Sequence, residues 1–172
     1  PSPTRPSRDE PAPDDGPGVP VRQRPAGGQA AQDVSAGAGA GGVSSPVQQR
    51  ALALVNDSRR RAGCGDLTLD RRLIEAADRH AADMARRGYF AHRSPGGADA
   101  GDRVQDAGYR WSRYGENIAR GQDSVDEVVD GWMHSPAHRD NILDCDLHQM
   151  GIGLAVASDR TPYWVQDFAT PR

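Results

Sequence analysis

Lysine is missing from the chain: all 21 of its basic residues are arginine. That absence excludes a phosphate-loop lysine, a Schiff-base lysine and the phosphate-pairing lysine of a protein kinase. The triplet His138-Arg139-Asp140, which matches the kinase catalytic loop, therefore has no kinase around it. Long apolar runs are missing too. The best candidate, Ala51 to Val55, falls far short of the roughly 18 to 20 residues that cross a bilayer. No signal sequence is visible and the chain starts at Pro1 rather than Met. A processed or truncated product is therefore expected, with a signal or anchor helix able to precede it. There is no basic surplus: the formal charge is −1 for residues 1–46 and −2 for the remainder. Nucleic acid is not an expected partner. An Arg-, Ala- and Gly-rich chain without lysine points to a high-GC bacterial genome.

What is present is unevenly spread. Nine of the 13 prolines and eight of the 20 glycines fall within residues 1–46, a stretch with no Leu, Ile, Met, Phe, Tyr, Trp, His or Cys. So little apolar surface cannot offset the entropy of ordering, which predicts a disordered tail or linker over 1–46. Residues 47–172 are enough for one domain with one core. The two cysteines, Cys64 and Cys145, cannot build a structural zinc site alone, and their separation excludes a CxxC motif. They form either a disulfide closing a loop of about 80 residues, worth about 4 kcal/mol in the chain-entropy model, or a pair of buried thiols.

Ser45-Pro46-Val47-Gln48 has the pattern of a helix start, with Gln48 placed to bond back to the cap, and the helix runs to about Arg61. Arg59, Arg60 and Arg61, like Arg86 and Arg87, are read as solvated cations at helix C-termini. Asp70 caps a second helix to about Arg87, stopped by Gly88. His80 lies on its apolar side and is read as a packed core residue. His92, outside the helix and before the Ser94-Pro95-Gly96-Gly97 loop, suits a cleft wall. A short helix is expected over about 102–107. Tyr109, Trp111 and Tyr114 then cluster as core or cleft lining ahead of Glu116. Ser124 and Glu127 form a capping-box pattern for a helix burying Val125, Val128, Val129 and Trp132. His134 and His138 have the four-residue spacing of a helical metal pair, but Pro136 breaks the helix at about Ser135 and separates their faces. His138 stays a site candidate and His134 faces solvent. Met150 to Ala157 alternates with period two, and Tyr163 to Ala169 returns as its hairpin partner.

Four stretches carry a resemblance: HAADMARRGYFAH ending at His92, GEN at 115–117, GWMHSPAHRDNIL at 131–143, and MGIGLAVA followed by YWVQDF. In this order they resemble the bacterial branch of the CAP superfamily, the cysteine-rich secretory, antigen 5 and pathogenesis-related proteins, over residues 47 to 172. The resemblance implies an α+β, three-layer α-β-α sandwich with a short antiparallel sheet. It also implies a central cleft lined by His92, Glu116 and His138. The second glutamate of animal members falls at Ser135 here. The resemblance favours the Cys64–Cys145 disulfide, and with it an oxidising, extracellular or cell-surface location.

Two imidazoles and a carboxylate match the ligand count of a catalytic zinc site, so zinc at His92, Glu116 and His138 is one expectation. Without the second carboxylate, Glu116 would have to be ligand and base at once. No serine pairs with a base as nucleophile. A binding cleft for an extracellular ligand, lipid, cell-wall component or protein is therefore expected ahead of a metal-assisted hydrolase, with a purely structural surface module as a third reading.

Overall fold

In the computed structural model, residues 42–172 are described. Residues 1–41 of the expected disordered tail lie outside them. Helix α1 spans Pro46–Arg61 and helix α2 Arg71–Arg87, joined through the short strand β1, Thr68–Leu69. Helix α3, Ala100–Asp106, and strand β2, Trp111–Arg120, follow. Helices α4, Val125–Met133, and α5, Pro136–Ile142, lead to the hairpin of β3, Gln149–Val156, and β4, Pro162–Pro171.

The strands form one sheet in the order β1-β3-β4-β2. The three long strands are antiparallel, and β1 joins β3 in parallel through Thr68 and Leu69. Helices cover both faces, so the expected α-β-α sandwich is present. On one face α1, α4 and α5 pack Val55, Val128 and Trp132 against Ile152, Trp164 and Phe168. On the other, α2 packs Leu73, Ala77 and Ala81 over β2 and β4, joined by α3 through Val104.

Two glycines set the separation on the α2 side. A Cβ on Gly151 would lie 2.3 Å from the Ile74 backbone nitrogen, and one on Gly153 2.3 Å from the Ala77 carbonyl carbon. The helix backbone rests directly on β3, as its small-residue alternation predicts. The hairpin turns through Arg160, at φ 71°.

Both sheet edges are closed by side chains instead of further strands, the usual protection against edge pairing. Beyond the two-residue β1, the Gln48 amide donates to the Ile152 carbonyl and accepts the Ile152 N–H. Gln48 thus bonds the sheet and not its own helix cap. Ser45 makes no side-chain cap bond either. At the opposite edge, Trp132 Nε1 donates to the Ile118 carbonyl at 3.1 Å and Asn141 Nδ2 to the Glu116 carbonyl at 3.0 Å. The edge strand therefore carries Glu116 and is covered by the two helices that flank Pro136.

Arg59 corrects the reading of the helix-terminal arginines. It is only 1% exposed, and its guanidinium donates to the carbonyls of Gly65, Ile142, Asp144 and Leu147. Four neutral acceptors satisfy the buried cation and fix the chain leaving α5. Beside it Cys64 and Cys145 form a disulfide with Cα atoms 4.9 Å apart and a sequence separation of 81. Arg60 and Arg61 remain exposed in ion pairs with Asp66 and Asp57. Helix α3 begins two residues earlier than expected because Asp99 and Asp102 form a reciprocal capping box. At α4 the Ser124 hydroxyl caps as expected, but Glu127 accepts from the Asp123 N–H and so does not return to Ser124.

Candidate functional site

Three elements meet at the outer edge of β2: the loop after α2, α3, and the break between α4 and α5. His80, 1% exposed in the core face of α2, donates its Nε2–H to the Ala91 carbonyl at 2.8 Å. The loop that carries His92 is thereby tied to the helix. His92 Nδ1 lies 2.9 Å from Glu116 Oε1. Since an ionised carboxylate only accepts, Nδ1 carries the hydrogen.

Arg103, on α3, closes the cluster. Its Nη2 donates to both Glu116 oxygens at 3.0 and 2.7 Å, while Nη1 donates to the His92 carbonyl at 2.7 Å, the Ala98 carbonyl and the Ser94 hydroxyl. Burial pushes the Glu116 carboxyl up, but the Arg103 charge and the His92 hydrogen bond outweigh it and hold the group well below the usual glutamate range. Burial likewise lowers Arg103, and the neighbouring Glu116 more than restores it.

His138 is held differently. The chain breaks where Pro136 predicts, with Ser135 as the residue before α5. The Ser135 hydroxyl lies 2.9 Å from His138 Nδ1, and the His138 carbonyl accepts from Asn117 Nδ2. Burial, and then the nearby His92, lower His138 to about 4. It is a neutral imidazole at physiological pH. His134, with its side chain 72% exposed, lies outside the site, as its separation by Pro136 predicts.

The profile of the cysteine-rich secretory protein family, CAP, matches residues 52–168. The chain belongs to that family. An uncharacterised Bacillus subtilis protein, YkwD, is 33% identical over 124 residues, 72% of this chain and 47% of that protein. A crystal structure of an extracellular Bacillus anthracis protein containing an SCP domain is 30% identical with a TM-score of 0.64, covering 70% of this chain and 39% of that one. An outer surface protein of Borrelia burgdorferi shares the fold at 18% identity and a TM-score of 0.68, over 73% and 93% of the two chains. This CAP chain thus spans less than half the length of these two Bacillus proteins. Among its described residues no helix is long and apolar enough to cross a membrane.

Within the CAP domain, His92 and Glu116 bond directly, and His138 stands within electrostatic reach of His92 but bonds to Ser135 instead of Glu116. The expected zinc set does not fit this arrangement. Both Glu116 oxygens already accept from Arg103 or His92. Among the described residues no three His, Cys, Asp or Glu side chains converge on a metal position. That leaves Nε2 of His92 and of His138, two donors where a catalytic zinc site takes three from the protein.

Sequence reasoning missed Arg103 and Asp167. Asp167 sits directly opposite Glu116 across the β2–β4 pair. The signal for Arg103 was indirect: a glutamate destined for a strand core needs a cation, and Arg103 lies on the element just before that strand.

Proposed function

We propose that this chain is an extracellular or cell-surface ligand-binding domain whose cleft presents the Nε2 atoms of His92 and His138 to a polar, largely uncharged ligand. One observation carries the reading: both histidines spend Nδ1 inside the protein, on Glu116 and Ser135, and among the described residues neither Nε2 is a buried orphan or has a hydrogen-bond partner. Glu116 and Arg103 behind His92 neutralise one another, so the surface offered is two imidazole Nε2 edges. Hydroxyl and amide groups, as in a cell-wall glycan or its peptide, suit such a surface better than a lipid chain does. The disulfide and the extracellular or outer-surface relatives support the location.

The metal-assisted hydrolase is the weaker reading. Glu116 would have to leave Arg103 to become a ligand or a base, and Ser135 supplies no carboxylate in its stead. The test is a nuclear magnetic resonance titration of the full chain with soluble muropeptides and, separately, with phospholipid vesicles. Muropeptides should move the ring signals of His92 and His138, and the His92→Ala/His138→Ala variant should show no binding. Vesicle binding alone, or zinc-dependent hydrolysis of the muropeptide, would contradict the proposal.

A further inference from the structure

Among the described residues, Asp167 is a buried ionisable group beside Glu116 that the site described above does not use. It is 0% exposed and neither carboxyl oxygen receives a hydrogen bond from an N–H or O–H group among the described residues. Its register partner on β2 is Glu116. In-register partners on neighbouring strands leave the sheet on the same face, so the two carboxyls lie together beneath α2. On the other side its register partner is Gly151 of β3, which has no side chain to offer. The charged and titratable groups around the pair are His80 from α2, His92 from the following loop and Arg103 from α3. The hydrogen bonds of all three go to Glu116 or to backbone and hydroxyl oxygens.

An ionised carboxylate with no donor is among the costliest groups to bury. Two adjacent carboxylates cannot both ionise, and the stable solution is one shared proton. Arg103 and His92 decide where that proton sits, because they stabilise charge on Glu116 and make no hydrogen bond to Asp167. We propose that Asp167 is the second carboxyl group of this cleft: it keeps its proton at neutral pH and donates it to Glu116, so that the pair carries a single negative charge matched by Arg103. Asp167 is a positioning residue. Its hydrogen bond adds to those of Arg103 and His92 and keeps Glu116 turned toward His92 Nδ1.

Titration directions agree with this assignment. Burial, followed by the Glu116 charge, pushes Asp167 well above the ordinary aspartate range, while Glu116 is held well below its own. A carboxyl raised in the folded state binds more protons folded than unfolded, so stability falls as pH climbs above the unfolded value toward the folded one. Glu116 contributes the opposite slope at lower pH. Replacing Asp167 removes the first slope and leaves the second.

The proposal stands whether or not the cleft binds a ligand, so its test reads the carboxyl directly. In the full chain, labelled with carbon-13, infrared spectra at neutral pH should contain the carbonyl stretch of a buried, protonated acid. The Asp167 carboxyl carbon should have the chemical shift of the neutral form. Asp167→Asn, which keeps an N–H donor toward Glu116, should fold, lose the infrared band, retain the His92 Nδ1–H signal and lose the fall in stability with rising pH. Asp167→Leu should keep the fold at reduced stability and broaden or shift the His92 ring signals. An ionised Asp167 carbon at neutral pH, or no acid band in the parent, would overturn the proposal even if both variants failed to fold.

Discussion

The two candidate histidines, His92 and His138, are held by unlike halves of the molecule. His92 rests on a charged chain: its Nδ1–H meets Glu116, and Glu116 is gripped by Arg103. His138 rests on a neutral one, the hydroxyl of Ser135 at the start of a seven-residue helix. A histidine backed by a carboxylate keeps its Nδ1 tautomer through a charge-assisted bond, which is short and strong. A histidine backed by a hydroxyl, buried and beside another imidazole, is instead driven to stay neutral. The two imidazoles are therefore held by different residues, His92 by Glu116 and Arg103 and His138 by Ser135.

The largest effect is expected on the charged half. Arg103→Ala would strand the buried Glu116 charge and take the Arg103 donor from the His92 carbonyl and the Ser94 hydroxyl, and should cost about 3–5 kcal/mol of stability in denaturant unfolding. Asn141→Ala lies between the halves, because Asn141 donates both to the Glu116 carbonyl and to the Asn117 side chain. It should cost about 1–3 kcal/mol, the penalty for leaving a buried acceptor unpaired. On the neutral half, Ser135→Ala should cost only about 0.5–1.5 kcal/mol, and should shift the nitrogen-15 signals of His138 while leaving those of His92 unchanged. His134→Ala, outside both halves, should stay within about 0.5 kcal/mol of the parent.

The comparison also fixes a pH dependence. With His138 lowered to about 4, the unfolded chain binds a proton that the folded one refuses between the ordinary histidine value and about 4. Stability from this group is fully present above the ordinary value and is lost as pH falls through that window. His138→Gln should flatten that part of the stability profile, whereas removing His92, the second of the two causes, should flatten it only in part. Asp78, which burial raises to about 6, contributes the opposite slope in nearly the same range. The parent and His138→Gln therefore need to be compared as a difference.

Where the chain's local chemistry agreed with its tertiary role, the structure could be read from the residues. Pro136 both starts α5 and separates His134 from His138. The alternation from Met150 to Ala157 both makes a strand and admits α2 at Gly151 and Gly153. Strand β2 could not be read this way. Its residues from Trp111 to Arg120 are polar at Glu116 and Asn117 and small at Gly115 and Ala119, so no period-two apolar pattern marks it. Its inner polar residues are paired inside the protein instead of facing water, through Arg103, His92, Gln166 and Asn141.

Arg59 and Arg103 were obscured for a related reason. An arginine at the end of a helix looks solvated until the fold brings it the oxygens it satisfies, the Ile142 and Leu147 carbonyls for Arg59 and the Glu116 carboxylate for Arg103. The site histidines and Glu116 were legible as residue types in a recurring order. Their partners Arg103, Ser135 and Asp167 depended on strand register and helix breaks, and a register such as Glu116 opposite Asp167 follows only from the assembled sheet.

The Glu116 carboxylate is engaged by Arg103 and His92, which leaves zinc without its third protein ligand. The most direct measurement is a calorimetric titration of zinc into the metal-stripped full chain, beside Glu116→Gln, with circular dichroism to establish that both are folded. The parent and Glu116→Gln should give the same heats, with no one-equivalent binding that depends on the carboxylate. Stoichiometric binding in the parent that disappears in a folded Glu116→Gln would contradict it.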